Sequence, residues 1–76
     1  MSTAPDPVRL FAQAHRRLLK GNAYTYAEVA YTRATGWMAW LCTNAREADP
    51  NRQVLAKGQG ATMREACRRA LKELKV

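Results

Sequence analysis

GQGATMREACRR, residues Gly58 to Arg69, passes from two glycines through Thr62 and Glu65 into paired arginines. It predicts a loop over Gly58–Thr62 that feeds a helix starting at Thr62 or Met63. Thr62 and Glu65 have the S/T-x-x-E spacing of a capping box, in which each side chain satisfies a free backbone N–H of the first turn. At helical spacing Met63, Cys67, Ala70, Leu71 and Leu74 share one face. Arg64, Arg68, Lys72 and Lys75 share the other, with Glu65 and Arg69 at its border. Such a helix start has two uses. Its free N–H groups and positive end suit a phosphate. The same residues also make an ordinary cap beneath a solvated basic face.

Upstream, QVLAK (Gln53–Lys57) reads as a short strand, and Asp49-Pro50-Asn51 before it as a turn. WMAWLCTN (Trp37–Asn44) and AYTYAEVAYTR (Ala23–Arg33) follow period two better than period 3.6, so both are expected as strands joined by a turn at Thr35-Gly36. Three sequential strands most simply form an antiparallel meander. Asp6-Pro7 is a helix start, with Asp as N-cap and Pro at the first helical position. That helix is expected to run to about Lys20 and to end at Gly21 or Asn22. Arg9, Gln13, Arg16, Arg17 and Lys20 lie on its outer side. Leu10, Phe11, Ala14 and Leu18 lie on the inner side, flanked by Val8 and Leu19.

The predicted fold is α+β. Its order is α-β-β-β-α, a three-stranded antiparallel sheet with both helices packed on one face. At 76 residues the chain is expected to be a single domain, 1–76, with residues 1–5 frayed. The opposite face of the sheet is then left open. Trp37 and Trp40 are three apart in one strand and so point to opposite faces. One is expected under the helices and the other on the open face, either anchoring an interface or covered by a long neighbour such as Arg33 or Lys57. The outer edge of the third strand could pair two copies.

Thirteen Lys and Arg oppose six Asp and Glu, giving a net charge of +7 and a pI near 10.1. Most of the basic residues are Arg, whose planar fork suits phosphates and carboxylates. An excess of this size favours an anionic partner. The first ten residues carry no apolar run, and no stretch approaches the ~20 apolar residues of a membrane span. The chain is therefore expected in the cytoplasm, without membrane contact, as a monomer or homodimer. Cys42 and Cys67 form no CxxC pair and, with one His, cannot supply four zinc ligands. A disulfide between them is open, although two buried thiols in a reducing compartment fit better. No metal and no cofactor are expected. His15 lies toward the apolar side of its helix without a nucleophile or carboxylate to complete a constellation. The acidic residues form no recognisable acid/base pair, so the chain is expected not to be an enzyme.

DPVRLFAQ (Asp6–Gln13) together with VLAKGQGATMREACRRAL (Val54–Leu71) resembles the double-stranded-RNA-binding domain. The likeness covers nearly the whole chain. The first stretch is similar to that family's opening helix. The second is similar to its third strand, Gly-x-Gly-x-Ser loop and second helix, with Gly58, Gly60, Thr62, Arg64, Ala66 and Ala70 in register. The family's three basic positions fall on Met63, Arg64 and Cys67, so Arg64 alone keeps its charge. The first-helix glutamate falls on Gln13, and RATGW (Arg33–Trp37) stands where a Gly-Pro-x-His loop would be. A shorter likeness links Gly36-Trp37 and Ala66-Cys67-Arg68-Arg69-Ala70-Leu71 to small bacteriophage proteins built as α-β-α sandwiches.

The resemblance implies binding to nucleic acid, RNA ahead of DNA. In that role Gly58, Gly60, Thr62, Arg64, Arg68 and Lys72 would contact one stretch of backbone, and Arg9, Gln13, Arg16 and Lys20 a second. Glu65 in the first turn would oppose a phosphate there. The alternative is a phage or mobile-element protein that blocks a host protein or nucleic-acid machine in the host cytoplasm. Its interface would draw on Trp37, Trp40, Tyr24, Tyr26, Tyr31 and Arg33.

Overall fold

The computed structural model describes residues 6–74. The expected fraying of residues 1–5 and the place of Lys75 on the basic face lie outside them. Helix α1 (Pro7–Gly21) leads into strands β1 (Tyr26–Thr32), β2 (Gly36–Cys42) and β3 (Val54–Gly60), and helix α2 (Met63–Glu73) follows. The sheet order is β1-β2-β3, antiparallel throughout. Both helices lie on one side of it, as the apolar stripes require.

The start of α1 follows its sequence signals. The Asp6 carboxylate accepts from the Val8 amide at 3.1 Å, and Pro7 occupies the first turn, where an amide would have no helical partner. Asn22 ends the helix: its amide donates to Leu18 O at 2.9 Å. The Asn22 side chain accepts from Tyr24 N and donates to Thr43 O, tying the helix end to the end of β2. Ala23 and Tyr24 belong to this turn, so β1 begins three residues later than period two suggests. Thr25 is buried, and its hydroxyl donates to Asn22 O at 2.7 Å. His15 Nε2 donates to Thr25 O at 2.9 Å, since the carbonyl can only accept. His15 is thus a packing residue that pins α1 to the start of β1.

The two faces of the sheet can be read from the register. Trp37, Ala39 and Leu41 of β2 point to the helix side, paired with Tyr31, Val29 and Ala27 of β1. The core is Phe11, Ala39, Leu41, Ala66, Cys67 and Ala70, bordered by Val8, Leu18, Trp37 and Leu74. The centre of the α2 stripe is therefore Ala66–Cys67–Ala70. Met63, expected inside that stripe, is 36% exposed. Cys42 and Cys67 are both buried and free, so no disulfide links them.

The loop expected over Gly58–Thr62 is mostly strand. β3 extends through Gly60, three residues past its expected end, leaving only Ala61 and Thr62 as connection. The reason is close packing. A Cβ on Gly58 would lie 2.3 Å from Ala66 O and 2.3 Å from Ala70 N, both backbone atoms of α2. The missing side chain lets the helix rest directly on the strand. At the other end of β3, Leu41 pairs with Ala56 but Cys42 with Val54, so Leu55 is an extra residue in a bulge. The bulge turns Val54 to the open side of the sheet.

Candidate nucleic-acid interface

The outer surface of the helical layer gathers most of the expected phosphate-contact residues. Arg9, Gln13, Arg16, Arg17 and Lys20 are all exposed on α1, and Arg64, Arg68 and Lys72 on α2. The two helices with their N-caps carry eight Lys and Arg against three Asp and Glu. The strands and connecting loops hold only four basic residues against three acidic ones. The excess charge is therefore segregated onto the helical layer.

The N-termini of α1 and α2 lie side by side. Arg64 Nε is 3.9 Å from the Asp6 carboxylate, with both groups largely in solvent, a geometry worth little by itself. Between the two helix starts is an open groove of about 410 Å³ lined by Pro7, Thr62, Arg64, Glu65 and Arg68. The Thr62 hydroxyl accepts from Glu65 N at 3.1 Å, which is half of the predicted capping box. The other half does not form as predicted. The Glu65 carboxylate turns instead to Arg69, at 2.7 Å. Its charge is thereby offset within α2, which weakens the expected repulsion of a phosphate. Arg69 also donates to Gln59 O at 2.9 Å and so serves as a clip between α2 and β3.

The structure brings Thr62, Arg64 and Arg68 to the groove and places Gly58 and Gly60 elsewhere. Both glycines are part of β3. Gly58 lies beneath α2, while a Cβ on Gly60 would meet Glu65 Cβ and Cγ at 2.8 Å. No phosphate-cradling loop exists at this position, and the two glycines serve the packing of α2.

The expected protein-interface residues separate. Trp37 lies on the helix side, its ring 5.4 Å from that of Tyr31. Trp40 is on the open side, half-buried, between its register partners Glu28 and Lys57. Tyr26 shares that side, and its hydroxyl donates to the Glu28 carboxylate. This bond, with some desolvation and the nearby negative charge, holds the Tyr26 phenol above its usual range. Arg33 is in the β1–β2 turn.

Tyr24, 80% exposed, stands at a shallow cavity of about 630 Å³ between the α1–β1 turn and the β2–β3 loop. The side chains of Asn22 and Asn44 in that cavity are occupied by loop-closing hydrogen bonds to Thr43, Tyr24, Asp49 and Arg46. Burial pushes the Cys67 thiol up, away from the reactive thiolate. Among the described residues no cluster of His, Cys, Asp and Glu could hold a metal ion, and no helix is long and apolar enough to cross a membrane. Comparison with protein families, curated proteins and solved structures found no match for this chain.

Proposed function

We propose that this chain is a small non-enzymatic module that binds nucleic acid, duplex RNA ahead of DNA, through phosphates lying across its helical layer. The observation that carries this reading is the segregation of charge: eight basic residues on the two helices and their caps, against a nearly balanced remainder. Arg64 and Arg68 at the groove, with Lys72 beyond them, would meet one strand of a duplex. Arg9, Arg16 and Lys20, with Arg17 beside them, would meet the other. Gln13 sits midway along the exposed face of α1 as a neutral donor and acceptor, suited to a 2′-hydroxyl. A-form duplexes are recognised mainly through shape, 2′-hydroxyls and phosphates, so little base specificity follows. The likeness of the chain to the double-stranded-RNA-binding domain supports the same reading, with cytoplasmic RNA as the target.

The test is binding to duplex RNA, duplex DNA and single strands at low and moderate salt. The wild type is expected to bind duplex RNA most tightly and to lose affinity as salt rises. Arg64→Glu combined with Arg68→Glu is expected to abolish binding at moderate salt, while Trp40→Ala leaves it unchanged. Absence of salt-sensitive binding to every nucleic acid would overturn the reading in favour of a protein partner.

A further inference from the structure

The central row of the open sheet face has a charge pattern that is complementary to itself. Glu28, Trp40 and Lys57 form one row straight across the three strands, because Glu28 pairs with Trp40 and Trp40 with Lys57. Directly paired residues project from the same face, and this face is opposite the one carrying Ala39 and Leu41. The neighbouring rows are Ala30–Met38–Gln59 and Tyr26–Cys42–Val54. No described helix or strand covers them, and Val54 is 57% exposed, but the Arg52 side chain from the β2–β3 loop lies over the middle of the second row. Cys42 is buried in its row because the Arg52 guanidinium lies against its sulfur, at 3.4 Å.

We infer that this face docks onto the same face of a second copy, about a two-fold axis parallel to the strands. Such an axis exchanges left and right across the sheet. Glu28 then faces Lys57 of the second copy, Lys57 faces its Glu28, and the two Trp40 rings meet at the centre. Tyr26 comes opposite Val54. A two-fold axis perpendicular to the strands and parallel to the sheets would instead set Glu28 against Glu28 and Lys57 against Lys57, two like-charge pairs, whereas the first arrangement opposes only Arg52, over Cys42, to its own copy, so charge selects the first arrangement. Sheets packed face to face lie ~10 Å apart and cross at about 30°. One strand from the centre, ~4.8 Å out, that crossing displaces Glu28 from Lys57 by only about 2–3 Å, within reach of both side chains.

The arrangement also points the two basic helical layers away from each other, which limits repulsion between two chains of +7. Three strands of seven residues offer a patch of about 14 by 23 Å. That is below the size of a stable specific interface, so a weak dimer that forms only at high concentration and exchanges with monomer is expected. The proposal does not depend on nucleic acid being the partner of the helical layer.

Sedimentation of the full chain without nucleic acid, at moderate salt and up to millimolar concentration, tests it. Wild type is expected to pass from monomer to dimer. Lys57→Glu alone and Glu28→Lys alone each create two like-charge contacts per dimer and are expected to weaken association by at least about tenfold. The two variants mixed together are expected to pair, since each supplies the charge the other lacks. The double swap, Glu28→Lys with Lys57→Glu, is expected to restore the homodimer. Both substitutions are at the surface, and circular dichroism checks that each variant is folded. A wild type that stays monomeric overturns the proposal and leaves the face to a foreign partner. Single variants that associate as wild type does, or a double swap that fails to restore pairing, also overturn it.

Discussion

Gly58 is the position where one added carbon is expected to cost most. The backbone atoms Ala66 O and Ala70 N would each lie 2.3 Å from a Cβ there, so no rotamer change can relieve the clash. In Gly58→Ala the helix must lift from the strand. Overpacking ordinarily costs about 1–3 kcal/mol, and this substitution belongs at the top of that range. A small domain has only about 5 kcal/mol in total. Urea denaturation of Gly58→Ala is therefore expected to show most of the stability gone. Gly60→Ala meets the base of the Glu65 side chain at 2.8 Å and is expected to cost less, because that side chain can shift. An unchanged midpoint for Gly58→Ala would show that α2 is not seated on β3 in this way. The glycines themselves were visible in the sequence, but their purpose was not. A glycine kept for a turn and one kept for close approach look alike in spacing, because both use the same missing atom. Thr62 was legible because capping is a local rule. The exposure of Met63 is not legible in the sequence because a helical wheel gives the direction of a side chain and not the point where the helix touches down. Here that point is set by Ala66 and Ala70.

The pairing of β3 with α2 decides how the sheet ends. A free strand edge invites pairing with another chain. On β3 two outward backbone groups are taken by α2: Arg69 donates to Gln59 O at 2.9 Å, and the Glu73 carboxylate accepts from Lys57 N at 3.3 Å. The expected open edge of the third strand is thus partly occupied by α2. Arg69→Ala combined with Glu73→Ala is expected to lower stability by about 1–2 kcal/mol, the ordinary worth of two exposed hydrogen bonds. Its larger effect is expected to be faster aggregation on warming. Light scattering at matched fractions of folded protein checks this, and a rate equal to wild type would show that the edge is guarded by something else. The guard was not legible because its two hydrogen bonds join residues 10 and 16 positions apart across a strand-to-helix turn. The last three residues of β3 are hidden from the sequence pattern for a related reason. In KGQG the alternation simply continues, with Gly58 and Gly60 inward and Lys57 and Gln59 outward, but the glycines carry no apolar signal. The helices, the order of elements and the opposite facing of the two tryptophans were legible, because periodicity alone fixes them.

Across the whole molecule, charge and apolar surface are separated by the thickness of the fold. The helical layer carries most of the basic residues, and the open sheet carries Trp40, Met38 and Val54 with Glu28, Lys57 and the Arg52 guanidinium. The separation follows from the fold together with two patterns, the basic outer stripes of α1 and α2 and the mixed residues on the far side of each strand. It leads to a quantitative prediction. Each phosphate neutralised on a duplex releases counterions, and the slope of log affinity against log salt is about −0.9 per contact. If Arg9, Arg16, Lys20, Arg64, Arg68 and Lys72 all meet phosphates, the slope is expected to be about −5. Arg68→Ala is expected to make it shallower by about 1, with affinity falling alike on every duplex sequence. Lys57→Gln, on the opposite side of the molecule, is expected to leave the slope unchanged when measured at concentrations where the chain is monomeric. A salt series of fluorescence-anisotropy titrations separates the two cases. Equal slopes for wild type and Arg68→Ala would remove α2 from the interface. A change caused by Lys57→Gln would move the phosphate contacts to the sheet, where the structure offers too few positive charges to sustain a slope of that size.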